Sequence, residues 1–175
     1  EPRRRPPATV LRGYDAPMAS NLEIGRVTDR RPPFRYSALA RVSFSDTDAQ
    51  GVVYYGRYLP YFDQARIEYH RHLGLLELWH GERQFVMRAV AVEYVAPARF
   101  DDLLEVFTRT VRIGRTSVTA ECVAVRIPDD LLMCTARLTL VLVDTTSRRP
   151  VPVPAEYRLA IRAFEGETIE IEPLT

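Results

Sequence analysis

The chain has 175 residues, with 24 basic and 23 acidic side chains and a formal net charge of +1. This length supports one domain with a substantial core, and the balanced charge argues against a nucleic-acid or membrane-surface partner. Every basic residue is arginine, which excludes a Schiff-base lysine and a P-loop lysine. No run approaches the roughly 18 consecutive apolar residues of a membrane span.

Residues 1–34 have the composition of a flexible N-terminal extension. They contain six of the 13 prolines and seven arginines, with little apolar periodicity. The segment EPRRRPP leads into polar sequence and has no apolar core of a secretory signal, so we expect a cytoplasmic location. The folded domain is predicted over residues 35–166, followed by a C-terminal tail over residues 167–175.

The predicted domain contains one strand, one long helix and four further strands. Apolar residues alternate over 35–44, and they recur at helical spacing over 58–73 until Gly74 ends the helix. The remaining predicted elements are strands over 85–96, 103–113, 116–127 and 131–144, and a short helix that begins near Pro154. Short connections indicate antiparallel neighbours, so the fold class is α+β, with a sheet that wraps around one helix. Uncovered sheet edges predict a homodimer or homotetramer.

The cysteines and histidines provide no pattern of metal ligands. Cys122 and Cys134 lie in apolar alternating segments, which predicts buried, reduced thiols. His70 and His72 are two residues apart on the predicted helix and face different directions. His80 follows in a loop. We expect all three histidines to be solvated, and we expect no metal or cofactor.

The most informative segment contains FSDTDAQGVVYYGRY, in which a strand leads through two aspartates and a glycine turn into the long helix. A carboxylate at this position lies beside unpaired backbone N–H groups and the positive end of the helix dipole. This arrangement can polarise a carbonyl group and attack it. The second aspartate, Asp48, is the candidate for that chemistry.

Two other roles for these aspartates compete with catalysis. Asp46, Asp48 and Gly51 match the first, third and sixth positions of a calcium loop, but Gln50 and Arg57 occupy the fifth and twelfth. Calcium is therefore disfavoured. An aspartate before a helix also commonly caps the helix or braces a turn, and we assign this role to Asp46.

The segment FSDTDAQGVVYYGRYLPYFDQARIEY, followed by EYVAPARFDD and GRTSV, resembles the hotdog-fold acyl-CoA thioesterases of the 4-hydroxybenzoyl-CoA thioesterase and YbgC type. The resemblance covers about residues 36–153. It implies an antiparallel sheet around a central helix, and hydrolysis of thioesters of coenzyme A or acyl carrier protein without a metal or redox cofactor. In the family the second aspartate of D-x-D is catalytic, which is Asp48 here. Tyr55 stands where some members have histidine.

Thioester chemistry suits these residues. A thioester has a good leaving group, so Asp48 either attacks the carbonyl carbon directly or activates a water molecule. Backbone N–H groups near Tyr55 and Gly56 are expected to stabilise the oxyanion. The side chains of Tyr55 and Phe62 are candidates to line an acyl pocket.

Arginines are the candidates for binding the coenzyme A phosphates, which suit the forked guanidinium group. Arg112 and Arg115 flank a strand turn in TVRIGRTSV. In the family, residues at this turn approach the nucleotide, often across the dimer interface. Arg99 in APARF is a weaker third candidate. The acyl group remains open between aryl and aliphatic.

Two alternative functions use the same fold. A non-catalytic module that binds acyl-CoA or acyl carrier protein needs no carboxylate, so Asp48 argues against it. A hotdog hydratase pairs aspartate with histidine in a D-x-N-x-x-H arrangement, but the residue five after Asp48 is Val53. Hydrolysis is therefore the favoured function.

Overall fold

The computed structural model describes residues 24–76 and 81–173. The elements in chain order are β1 (Gly25–Val27), β2 (Tyr36–Arg41), α1 (Tyr58–His72), β3 (Arg83–Tyr94), β4 (Leu103–Ile113), β5 (Ser117–Ile127), β6 (Leu131–Asp144), α2 (Ala155–Glu165) and β7 (Glu170–Ile171). Short 3-10 turns precede α1 at Phe44–Asp46 and Tyr55–Arg57. Within the described residues, no helix is long and apolar enough to cross a membrane.

The strands form one seven-stranded sheet in the order β1-β2-β4-β5-β6-β3. All pairs along this order are antiparallel, whereas β7 pairs with β4 in parallel. The first half of β4 pairs with β2, and Arg112 and Ile113 at its far end pair with β7. Helix α1 packs against β2 and β4. The predicted antiparallel sheet around one long helix is therefore confirmed.

The apolar stripe of α1 forms the centre of the core. Tyr58, Phe62, Ala65 and Tyr69, predicted as its buried face, are all almost fully buried. Their spacing of three or four residues places them on one side of the helix, towards the sheet. Burying each large side chain stabilises the fold by roughly 1.5–3 kcal/mol.

The prediction that His70 is solvated is wrong. It is fully buried between α1 and α2, with Nδ1 2.7 Å from the carbonyl oxygen of Arg66 and Nε2 2.8 Å from the hydroxyl of Tyr157. Helix α2 covers this side of α1, and the periodicity of α1 alone does not reveal a second packing partner. His72 is exposed but contacts aromatic rings. His80 lies outside the described residues.

The predicted extension over residues 1–34 is corrected for residues 24–34, which belong to the folded domain. Strand β1 pairs with β2, and Phe34 is buried against the outer face of the sheet. The buried carboxylate of Glu105 accepts hydrogen bonds from Arg26 (3.0 Å) and Ser37 (2.8 Å), and it also pairs with Arg30. A buried carboxylate requires such partners. Residues 1–23 lie outside the described residues.

The cysteines agree with their predicted state. Cys122 and Cys134 are buried and unbonded to each other, and burial raises the pKa of each thiol to about 12. Alternate residues of β6 from Cys134 to Leu142 are buried in the core, whereas Leu132 packs against the cluster of Phe34, Phe107 and Val125 on the outer face of the sheet. A register shift between Ala124 and Val125, opposite this part of β6, reverses the side on which Leu132 points.

Candidate active site

An open cavity of about 480 Å3 lies between the start of α1 and the end of β3. Its lining is mostly aromatic and aliphatic, and Asp48 is the one charged residue among the described residues that line it. A concave, mostly apolar cavity with few polar groups is typical of a small-molecule site. The lining residues are Asp48, Gln50, Val52, Val53, Tyr54, Tyr55, Tyr58, Tyr94, Val95, Ala96 and Pro97.

Asp48 is held by the tight turn that follows it. Its backbone N–H donates to the carbonyl of Val52 (2.9 Å), and its carbonyl accepts from Gly51 N–H (3.0 Å). The side-chain Oδ1 accepts from Gln50 N–H (2.8 Å). Gly51 has φ +75°, a conformation that glycine adopts without strain. The turn therefore orients the half-buried carboxylate towards the cavity.

Asp46 has a different role, and the prediction that it braces the turn is confirmed. Its Oδ2 accepts from the hydroxyl of Tyr61 (2.7 Å) and from Ser43 N–H (3.1 Å). Its carbonyl accepts from Tyr54 N–H (2.9 Å). Burial, and secondly the hydrogen bond to Asp46, raise the pKa of Tyr61. Asp46 thus joins the segment before Asp48 to Tyr54, which precedes the helix, and to Tyr61 in its first turn.

The helix start presents backbone N–H groups beside the cavity. The 3-10 turn Tyr55–Arg57 continues directly into α1, and the first N–H groups of a helical segment have no acceptor within it. A Cβ atom on Gly56 would lie 3.3 Å from Cε1 of the Tyr54 ring, so glycine suits this position. Tyr55 is 61% exposed, and its ring packs against the Tyr54 ring at a tilt of 39°, with centroids 4.2 Å apart.

The structure does not bring every predicted site residue to the cavity. Tyr55 lines the cavity with Asp48, and Gly56 follows it in the turn at the helix start, but Phe62 is fully buried in the core. Phe62 is therefore corrected from a substrate contact to a core residue. It follows Tyr58 by one helical turn, and only the first turn of α1 reaches the cavity.

The three predicted phosphate-binding arginines lie at opposite ends of β4. Arg99 is exposed, two residues after the cavity-lining Pro97. Arg112 donates to Glu170 (3.1 Å) and Glu172 (3.4 Å) of the C-terminal segment.

Arg115 is exposed in the turn between β4 and β5. Its carbonyl accepts from Val153 N–H at 2.8 Å, which holds the turn in place. Strand β4 has 11 residues, so its two ends are roughly 30 Å apart. Arg112 and Arg115 are consequently remote from Asp48 of the same chain.

Two tyrosine hydroxyls at the site were missed by sequence reasoning. Tyr94, the last residue of β3, donates to the carbonyl of Tyr55 (2.9 Å). The hydroxyl of Tyr58 accepts from Ala98 N–H (3.1 Å). The segment 85–96 has the pattern of an apolar strand, and nothing in that pattern distinguishes a tyrosine that contacts the helix start. Both contacts tie the helix start to the end of β3 and the loop that follows.

Comparison with known proteins places this geometry in a family. Residues 42–161 match the model of the Thioesterase-like superfamily. The acyl-CoA thioesterase YbgC of Haemophilus influenzae is 35% identical over 128 residues, which cover 71% of this chain and 93% of that protein. The acyl-CoA thioester hydrolase YbgC of Escherichia coli is 37% identical over 116 residues, covering 65% and 86%.

A solved structure agrees with these matches. A thioesterase from Thermus thermophilus, complexed with coenzyme A and Zn, aligns with a TM-score of 0.62 and 32% identity over 74% of this chain and 95% of that one. The chain belongs to the Thioesterase-like superfamily, and its fold is the hotdog fold. Within that superfamily its relatives include proteins of the YbgC type, as the motif around Asp48 indicated.

Proposed function

We propose that the protein hydrolyses acyl-CoA thioesters to a free acid and coenzyme A, with Asp48 as the reacting carboxylate. The observation that supports this most directly is the position of Asp48, the one charged group among the described residues that line an aromatic cavity at the start of α1. The YbgC relatives, which carry the name acyl-CoA thioesterase, support the same reaction class. In this proposal the cavity binds the acyl group of the substrate and its thioester carbonyl.

Two routes through Asp48 complete the reaction. In the first, a carboxylate oxygen bonds to the thioester carbonyl carbon, the C–S bond breaks, and the departing thiolate takes a proton from water. Water then cleaves the resulting mixed anhydride and restores Asp48. In the second, Asp48 accepts a proton from water as the water oxygen attacks the same carbon. The C–S bond then breaks, and the departing thiolate takes the proton from Asp48, which restores the carboxylate. Both routes pass through a tetrahedral oxyanion.

Stabilisation of that oxyanion is assigned to the backbone N–H groups of Tyr55 and Gly56. They belong to the first turn before α1, where N–H groups point out of the helix and the helix dipole is positive. Removing one such donor typically costs ~10²–10³ in rate. No metal ion takes part in this proposal, since the carboxylate and the N–H groups supply the chemistry.

The working unit is proposed to be a homodimer formed through β3, or a homotetramer built from such dimers. Strand β3 has 12 residues and lies at the edge of the sheet, with only β6 as a neighbour among the described strands. Val86, Met87 and Val90 are each more than 40% exposed along it. A long, exposed, apolar edge favours pairing with another strand, and a two-fold copy would extend the sheet. Light scattering that shows an active monomer would contradict this assembly.

The arginines divide between two binding sites in this proposal. Arg99 is exposed two residues after the cavity-lining Pro97, and we assign it to a phosphate group of a coenzyme A molecule bound to the same chain. Arg112 and Arg115 lie roughly 30 Å along β4, so they would serve the site of a second copy. Acyl carrier protein, whose carrier arm ends in the same thioester, remains the alternative substrate.

The decisive experiment measures thiol release from a series of acyl-CoA esters by the wild-type protein and by Asp48→Asn. We expect Asp48→Asn to retain the fold and lower kcat by several orders of magnitude. Asp144→Asn is the matched control, because Asp144 lies at the far end of β6, where its carboxylate braces a turn through Ser147. More than about a tenth of wild-type kcat in Asp48→Asn would refute the assignment. Parallel assays with acyl carrier protein thioesters identify the carrier.

A further inference from the structure

Tyr94 occupies a fixed position beside the helix start. It ends β3, and the next two residues, Val95 and Ala96, both donate to the carbonyl of Met133 (2.8 and 3.1 Å). Its ring packs against Tyr58 with centroids 5.8 Å apart and meets Tyr55 edge-on at 6.5 Å. From this position its hydroxyl donates to the carbonyl of Tyr55 over 2.9 Å.

The accepting carbonyl belongs to a particular peptide group. The carbonyl of Tyr55 and the N–H of Gly56 are the two polar ends of one planar unit, and in a trans peptide they point in opposite directions. A donor that holds the carbonyl therefore also fixes the direction of the N–H group. Hydrogen bonding at the carbonyl further polarises the unit and strengthens its N–H as a donor.

We propose that Tyr94 is a positioning residue, which aims and polarises the Gly56 N–H towards the thioester oxyanion by holding the Tyr55 carbonyl. The inference rests on the proposed function, because that N–H group matters only if an oxyanion forms beside it. The effect reaches the reacting atoms through the peptide group and not through direct contact of the hydroxyl with the carbonyl of the substrate.

The chemistry of Tyr94 suits a permanent donor. Burial, and secondly the neighbouring thiol of Cys134, raise the pKa of Tyr94. The hydroxyl is therefore protonated at neutral pH. Since a carbonyl can only accept, the proton must lie between the two oxygen atoms. Phenylalanine at this position would keep both ring contacts and remove only the donor.

The test compares wild-type protein with Tyr94→Phe in the full chain. We expect kcat to fall about tenfold, because one donor is misdirected but not removed. We expect KM to stay within about twofold of the wild-type value. The affinity for an S-alkyl-CoA thioether, a substrate analogue that lacks the carbonyl group, should also stay within about twofold. Tyr69→Phe is the matched control: its hydroxyl donates to Glu165 far from the cavity (2.6 Å), so kcat should not change.

A second readout does not depend on turnover. In an amide NMR spectrum, the Gly56 signal should shift in Tyr94→Phe, because the preceding carbonyl loses its hydrogen bond, whereas Tyr69→Phe should leave it in place. An unmoved Gly56 signal, an unchanged kcat, or equal losses of kcat and analogue affinity would each overturn the role of Tyr94.

The two proposals fail in different ways. If wild-type activity depends on Asp48 while Tyr94→Phe keeps full kcat, only the inference about Tyr94 is overturned. If no acyl-CoA or acyl carrier protein thioester is hydrolysed, or if Asp48→Asn remains active, the proposed function is overturned and the catalytic role of Tyr94 with it.

Discussion

The hydroxyl of Tyr61 donates to Oδ2 of Asp46 over 2.7 Å, and this contact joins the first turn of α1 to the loop that carries Asp48. The two aspartates of the D-x-D motif therefore have different roles, because their hydrogen-bond partners differ. Asp46 is satisfied by Tyr61 and by Ser43 N–H, whereas Asp48 faces the cavity and accepts a local hydrogen bond from Gln50 N–H. One carboxylate holds the loop and the other remains available to a substrate.

Tyr61→Phe should weaken the fold more than it weakens chemistry. The variant removes one hydrogen bond to a carboxylate that is 15% exposed, which costs about 1.5–3 kcal/mol of unfolding free energy. The loop can then shift, so kcat should fall by a factor of a few, far less than in Asp48→Asn. Denaturant unfolding and steady-state kinetics measure the two effects. A loss of kcat as large as that of Asp48→Asn would place Tyr61 or Asp46 in the chemistry itself.

Gly56→Ala should lower activity while leaving the fold nearly as stable. The new Cβ would lie 3.3 Å from the Tyr54 ring, so that ring or the helix start must move by a few tenths of an ångström. Such a shift at an oxyanion donor should lower kcat about tenfold. The unfolding free energy should change by less than about 1 kcal/mol, because alanine favours helical backbone.

Gly74→Ala is the control for Gly56→Ala, because it should lower stability and leave activity unchanged. Gly74 follows α1 with φ +69° and has open space around its Cα, so an added Cβ meets only backbone strain. That strain should cost about 1–2 kcal/mol of stability, with kcat unchanged. If Gly56→Ala retained full kcat, the Gly56 N–H would have no role as an oxyanion donor.

Sequence reasoning succeeded where the determinants are local. The alternation of strands, the stripe of α1 and the position of Asp48 before the helix all follow from spacing within a few residues. Arg158 illustrates what spacing cannot show. Its buried guanidinium donates to the carbonyls of Val153 (3.0 Å), Gly114 (2.7 Å) and Glu172 (2.7 Å), and so ties α2 to the β4–β5 turn and the C-terminal segment.

Those acceptors are backbone carbonyls, which every residue carries, so no sequence pattern identifies them. The same reason hides Tyr94, whose partner is also a carbonyl. Glu105 could not be predicted for a different reason. An acidic residue in a strand is typical of an exposed face, but here the two arginines that pair with it come from β1 and the loop after it. Contacts between segments distant in sequence and without a shared motif are the part that required the structure.

Stability should fall with acid because of His70. Burial, and secondly the positive charge of Arg66, lower the pKa of His70 to about 3, compared with an ordinary value of 6.5. Its Nδ1 donates to a carbonyl and its Nε2 accepts from Tyr157, an arrangement that needs the neutral ring. Between pH 6.5 and about 3 the imidazole therefore binds a proton more readily in the unfolded chain than in the folded one. The contribution of neutral His70 to the unfolding free energy is fully present above pH 6.5 and decreases as the pH falls below it.

The measurement is the unfolding free energy of wild-type protein and His70→Gln at about pH 7.5 and about pH 4.5. The wild-type protein should lose roughly 2–3 kcal/mol more than the variant over this interval. Comparison with the variant cancels the contributions of other titrating groups, including the buried Glu165, whose pKa is raised by burial. Parallel losses in both proteins would contradict the assignment to His70.

The arginine pair tests whether coenzyme A is the carrier. Arg112→Ala with Arg115→Ala should raise KM for acyl-CoA about tenfold and change kcat much less, because phosphate contacts are nearly equal in the ground and transition states. Of the single variants, Arg115→Ala should have the larger effect, since Arg112 is already paired with Glu170 and Glu172. Raised salt should weaken wild-type binding more than binding by the double variant.

A short acyl-cysteamine thioester, which has no phosphate groups, separates binding from structure. The double variant should hydrolyse it as fast as the wild-type protein, and the matched variant Arg99→Ala reports on the phosphate site near the cavity of the same chain. Equal losses on both substrates would mean that Arg112 and Arg115 support the fold through the C-terminal segment. If the double variant loses no activity on either substrate, the result depends on Arg99→Ala. A raised KM for acyl-CoA in Arg99→Ala would identify Arg99 as the phosphate-binding residue, whereas an unchanged KM would favour acyl carrier protein as the carrier.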